Sequence, residues 1–171
     1  NAKTGNNSKA RKKAIAKVKK TRKKKKIPAG EIINLYVSGT SRGNSKTSAT
    51  AFFVPGDKNR KPEHFEWFTG YGSKTNAELQ GLIRALEYYA EKAPDLIRCH
   101  VSNINIVRNL KKLKYSQYDQ LSSQYRQLII LRKRFPAAKI KQLNISDPKM
   151  QYLDSLMTKA LDHHFSERGR R

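Results

Sequence analysis

The chain has 171 residues, enough for one domain with a real core and too few for two comfortable ones. Lys and Arg number 37 against 13 Asp and Glu, a formal net charge of +24. That excess calls for a polyanionic partner, nucleic acid being the commonest, because a surface charged only for solubility mixes both signs. The lone Cys99 excludes a disulfide framework and a cysteine-based zinc site and suits a reducing compartment. No run reaches the roughly 18 apolar residues of a membrane span, and there is no secretory h-region.

Residues 1–27 form a basic arm. Lys3, Lys9, Arg11, Lys12, Lys13, Lys17, Lys19, Lys20, Arg22, Lys23, Lys24, Lys25 and Lys26 fall here with no acid among them. Residues 10–20 (ARKKAIAKVKK) suit a short helix with a thin apolar stripe of Ala14, Ile15 and Val18, too narrow for a membrane-surface helix. Residues 22–26 are a like-charge block that stays disordered in isolation. A solvated tail and a localisation signal are the plain readings of such an arm; the sharper one is nucleic-acid backbone binding, since each lysine that neutralises a phosphate releases counterions.

Ile27-Pro28-Ala29-Gly30 punctuates the change to a domain over residues 28–167, followed by a basic tail at 168–171. In 31–44 (EIINLYVSGTSRGN), Ile33, Leu35 and Val37 alternate with Asn34, Tyr36 and Ser38, the pattern of a half-buried strand that stops at Gly39-Thr40 and turns at Gly43-Asn44. Strands are expected at 48–54 and 64–71. Leu79, Leu82, Ile83, Leu86 and Tyr89 give residues 76–92 one helical stripe, with Thr75 as N-cap and Glu78 closing a capping box. A short strand follows at 96–101. Next comes a helix over 103–112 on Ile106, Val107 and Leu110. The longest helix is expected over 118–135, on Leu121, Tyr125, Leu128, Ile129 and Arg132. Residues 139–145 predict a fifth strand on Ile140, Leu143 and Ile145. Asp147-Pro148 opens a last helix on Met150, Leu153, Leu156, Met157, Ala160 and Leu161. The order β-β-β-α-β-α-α-β-α predicts an α/β fold, a five-stranded mixed sheet, its first three strands antiparallel, flanked by helices.

In that order and spacing the chain resembles the ribonuclease H family over about residues 31–165. There a strand carrying Thr-Asp-Gly-Ser and then Gly-Asn precedes a helical Glu, a strand-end Asp-Ser and a final Asp-x-Leu. Here the matching segments are Val37-Ser38-Gly39 with Gly43-Asn44, then Lys74-Thr75-Asn76-Ala77-Glu78-Leu79 with Ala85-Leu86-Glu87, then Val101-Ser102-Asn103, and last Asp154-Ser155-Leu156. The resemblance implies a site at which four carboxylates hold two magnesium ions that hydrolyse the RNA strand of an RNA–DNA hybrid. At the matching positions stand Ser38, Glu78, Ser102 and Asp154, two hydroxyls and two acids. Mg²⁺ wants hard, charged oxygens in octahedral geometry, and a two-metal site needs bridging carboxylates. Ser38 stands where the family's bridging Asp would be. The family's Gly-His-x-Gly loop before the last helix has no counterpart in residues 144–149. His64, His100, His163 and His164 read as surface or core histidines, and Asp57 and Asp95 lie beyond the strand ends where ligands are needed. No catalytic residue, metal or other cofactor is therefore expected. No P-loop, paired-histidine metalloprotease motif, nucleophile elbow or dinucleotide fingerprint occurs either.

The fold still implies a surface for an A-form duplex, read by backbone shape and 2′-hydroxyls. The resemblance places Arg42, Asn44, Lys74, Thr75 and Asn76 near the minor groove. Lys74 and Thr75 replace a pair of asparagines, which favours phosphate contact. Lys111, Lys112 and Lys114 fall near the family's basic handle, and Lys133 and Arg134 extend the positive surface. The expectation is a non-catalytic RNA-binding protein. Its partners would be structured RNA, ribosomal RNA foremost, and neighbouring subunits of a ribonucleoprotein such as a ribosome, in the cytoplasm or a mitochondrion. No membrane is expected. The alternatives are a weak magnesium-dependent nuclease using Glu78 and Asp154, and an inactive protein-interaction module of a nucleic-acid-processing assembly.

Overall fold

The computed structural model describes residues 32–44, 46–58, 60–92, 94–112, 123–135 and 138–168. The arm and every cation predicted in it, Lys114 and the end of the tail lie outside them.

Strand β1 (Ile32–Arg42) pairs antiparallel with β2 (Thr47–Val54), and β2 antiparallel with β3 (Glu63–Tyr71). On its other side β1 runs parallel to β4 (Leu96–Val101), and β4 parallel to β5 (Ala138–Gln142). The sheet order is β3-β2-β1-β4-β5. Helices α1 (Lys74–Glu91), α2 (Ile104–Lys112), α3 (Ser123–Arg134) and α4 (Pro148–Arg168) flank it. The predicted mixed sheet with three leading antiparallel strands is therefore the observed one.

As the central strand, β1 is buried on both faces rather than half-buried. Ile33, Leu35 and Val37 join one cluster with Leu79, Leu82, Leu86 and Tyr89 of α1 and Tyr125, Leu128 and Leu131 of α3. Tyr36 joins a second with Ala49 and Ala51 of β2 and Met150, Leu153, Leu156, Met157 and Leu161 of α4. Each such large side chain contributes about 1.5–3 kcal/mol by leaving water. Helix α4 lies over β1, β2 and β3.

Several boundaries differ from the sequence reading. Strand β1 continues through Gly39-Thr40 to Arg42, because β2 pairs with it as far as Thr47. The turn follows at Gly43, whose φ of 70° suits glycine. Ser73, not Thr75, caps α1, its hydroxyl accepting from the Asn76 amide at 3.2 Å. Strand β5 ends at Gln142, where its partner β4 runs out, and Ile145 is exposed. In α3, Leu131 enters the core in place of Ile129 and Arg132. Residues 118–122 of the predicted longest helix lie outside the described residues, and the longest described helix is α4.

Candidate functional site

Parallel pairing sets the C-terminal end of β4 beside the middle of β1, with Val37 opposite Val101. The next residue of each strand is a serine, and Ser38 Oγ donates to Ser102 Oγ at 3.2 Å. Glu78 arrives from α1. It can do so because Gly39 has no side chain: a Cβ there would run into the Glu78 backbone amide and lie 2.8 Å from the Lys74 carbonyl oxygen and 2.9 Å from Glu78 Cα. One turn on, Gly81 fits against Thr50 and Val37 in the same way. Two glycines thus let the helix backbone press onto the sheet.

Glu78 is fully buried. Its Oε1 accepts from the Ser102 amide at 2.5 Å and the Asn103 amide at 3.1 Å, and the Ser102 hydroxyl donates across both oxygens at 3.1 and 3.0 Å. The expected capping box is therefore not formed; Glu78 instead ties α1 to the end of β4. Asn103, not foreseen in this role, donates to Thr75 Oγ1 at 2.8 Å and accepts from the Asn105 amide at 2.9 Å. An asparagine directly before a helical run is a cap signal, and that was the available clue. Asp154 is exposed on α4. Among the described residues no hydrogen bond joins it to this cluster.

Burial raises the Glu78 pKa above its ordinary 4.5, the amides of Asn103 and Ser102, the Ser102 hydroxyl and the Lys74 charge opposing only in part. From 4.5 up to the raised folded value the native state binds the proton more tightly than the unfolded chain, so stability falls as pH rises through that window. Glu78→Gln keeps an oxygen for the two amides and cannot ionise. Its unfolding free energy is expected to lose that downward slope, which denaturant titrations between pH 4.5 and 8 will read. Glu78→Ala should cost about 3 kcal/mol at pH 4.5 and less as pH rises through that window, because it strands three partly buried donors, the Ser102 and Asn103 amides and the Ser102 hydroxyl.

The resemblance to ribonuclease H implies a pair of magnesium ions here, and the donors do not fit them. Ser38 and Ser102 offer neutral hydroxyls already bonded to each other. The Glu78 carboxylate has its oxygens turned to protein N–H and O–H groups. Among the described residues no three of His, Cys, Asp and Glu gather where a metal ion could be held.

The other predicted contact residues divide. Asn44, Lys74, Asn76, Lys111 and Lys112 are exposed, and Thr75 is half-buried under Asn103. Arg42 is engaged with α4, donating to Thr158 Oγ1 at 2.7 Å and lying 3.6 Å from Asp162. Cys99 is buried, and its thiol pKa is pushed up to about 12 by that burial, so it is inert as a nucleophile.

Solved structures share this fold. RNase H1 from the halophilic archaeon Halobacterium salinarum superposes with a TM-score of 0.62 at 20% identity, covering 78% of this chain and 99% of the archaeal one. LC11-RNase H1, isolated from compost, gives 0.62 at 20% identity in its complex with an RNA/DNA hybrid, with the same coverage. The protease–reverse transcriptase of prototype foamy virus gives 0.64 at 12% identity, over 82% of this chain and 22% of the viral one. No protein-family model matches the chain, and no curated protein does. The chain has a ribonuclease-H-like fold.

Proposed function

We propose that this chain is a non-catalytic, ribonuclease-H-like RNA-binding protein that serves as a fixed component of a ribonucleoprotein such as a ribosome, cytoplasmic or mitochondrial. The observation that carries the loss of catalysis is the closed bonding of Glu78 to Ser102 and Asn103, with a second serine behind. These hydroxyls and amides occupy the carboxylate that a metal pair would need. The polynucleotide reading is supported by the charge of +24 and by the exposed Lys74, Asn76, Lys111 and Lys112 around the α1 and α2 ends. LC11-RNase H1, of like fold, is known in complex with an RNA/DNA hybrid. The ribosomal assignment is an analogy with small basic-armed ribonucleoprotein subunits.

A magnesium-dependent cleavage assay on an RNA–DNA hybrid tests the first half. Wild type and Glu78→Gln are both expected to leave the hybrid intact, and cleavage that Glu78→Gln abolishes would return the chain to the nucleases. Deleting residues 1–27 tests the second half: RNA affinity at physiological salt should fall by at least about a hundredfold, with a shallower salt dependence. Equal binding by the truncated chain would favour a protein-interaction module.

A further inference from the structure

Away from the Ser38–Glu78 cluster, the strip of sheet formed by β4 and β5 presents an array of cations. The parallel register aligns Asn34, Arg98 and Lys139 in one row and Tyr36, His100 and Lys141 in the next. Side chains two residues apart on a strand share a face, about 6.6 Å from one row to the next, and neighbouring strands lie about 4.8 Å apart. These six residues line a recess of about 480 Å³. Its border toward α4 is aromatic: the His100 ring stacks on Tyr36 at 4.7 Å, and Lys149 from the first turn of α4 places its ammonium 5.2 Å from the Tyr36 ring.

Like charges directly opposite one another weaken a sheet, yet Arg98 faces Lys139, Lys141 follows in the next row, and neither row holds an acid. Lysines on an edge strand keep other strands from adding to it, which accounts for Lys139 and Lys141 on β5. It does not account for Arg98, which lies on the interior strand β4, nor for Lys149, which approaches from a helix. The sheet cations Arg98, Lys139 and Lys141 lie on two neighbouring strands, under about 10 Å across, room for one nucleic-acid backbone, with Asn34 and Tyr36 of β1 alongside.

We propose that this recess binds consecutive phosphodiesters of a single RNA strand, with Arg98, Lys139, Lys141 and Lys149 as the phosphate contacts and Asn34, beside Arg98, as a neutral donor. This rests on the RNA-binding reading and adds a face that neither the arm nor the α1 and α2 ends supply. His100 reports occupancy. Burial, and then the charges of Lys141, Lys149 and Arg98, hold its imidazole below the ordinary value against the pull of Asp147. A phosphate in the recess offsets those cations and raises it.

The experiment uses the full chain and a fluorescein-labelled 20-nucleotide oligouridylate, titrated by anisotropy across a salt series. Neutralising Arg98, Lys139 and Lys141 together to Gln should weaken binding about tenfold and reduce the slope of log K against log salt by about 2, near 0.7 per lost phosphate contact. Removing equal charge with Lys58→Gln, Lys61→Gln and Arg126→Gln should change affinity less than twofold. NMR titration of the wild-type His100 ring should show its pKa rising when RNA is bound. Weak wild-type binding would count against the RNA-binding reading itself. Tight binding to which the recess and control variants respond alike, with His100 unmoved, would overturn the recess alone. So would a His100 shift produced by poly-glutamate and not by RNA.

Discussion

Gly39→Ala is expected to destabilise the domain by about 3 kcal/mol, at the upper end of what one added methyl costs in a packed interior. The obstructing atoms are the backbone of Glu78 and Lys74 rather than the tip of a side chain, so relief requires α1 to lift from β1. Lifting it also draws Glu78 away from Ser102 and Asn103. Urea denaturation should show the loss, and hydrogen exchange should show the Ser102 and Asn103 amides losing protection first. Gly72→Ala is the matched control. A Cβ there meets Asn76 Cβ at 3.7 Å, an ordinary contact, and the change should stay within about 0.5 kcal/mol. Equal effects at the two positions would mean that the helix–sheet approach at Gly39 is not tight.

The second large effect is expected from restoring the family's acids, Ser38→Asp with Ser102→Asp. Three carboxylates would then crowd a site where Glu78 is fully buried and Ser38 is only 4% exposed. Burying uncompensated charge typically costs about 3–5 kcal/mol, so the double variant should be strongly destabilised at pH 8 in a chelator. Saturating Mg²⁺ should restore about 2.7 kcal/mol at a hundredfold excess over its dissociation constant, whereas the melting temperature of the wild type should not respond. A wild type stabilised by Mg²⁺ as much as the variant would defeat the claim that the serine cluster rejects the ion. Both outcomes can be read from thermal melts with and without the cation.

The amphipathic pattern fixed most elements because burial is written into the spacing of apolar residues. The α4 stripe from Met150 to Leu161 and the α1 stripe from Leu79 to Tyr89 enter the two cores as expected. Where several apolar residues run together, as in Leu128-Ile129-Ile130-Leu131, two helical registers compete, and packing against α1 chose Leu131 over Ile129. The α1 cap was read as Thr75 and falls at Ser73, two residues earlier, because the two hydroxyls are equally competent caps and the helix begins one residue before Thr75. The ordered set of short motifs was enough to suggest the fold, including which positions hold serine where acids were expected. What those serines do was not legible. Ser102 reaches Glu78 across 24 residues of sequence and Ser38 across 64, and spacing along a chain carries no information about such contacts. The cationic rows were equally hidden, because Asn34, Arg98 and Lys139 become neighbours only once the strand order is known.

The line of hydroxyls from Ser38 through Ser102 to Glu78 has a consequence for how the domain tolerates its surroundings. With the carboxylate ionised, both O–H bonds point toward it. When Glu78 takes up a proton, two rotations about Cβ–Oγ bonds reverse the direction of donation while every heavy atom stays in place. The joint between the first helix and the two central strands therefore keeps one geometry in both protonation states, while its contribution to stability falls as Glu78 ionises.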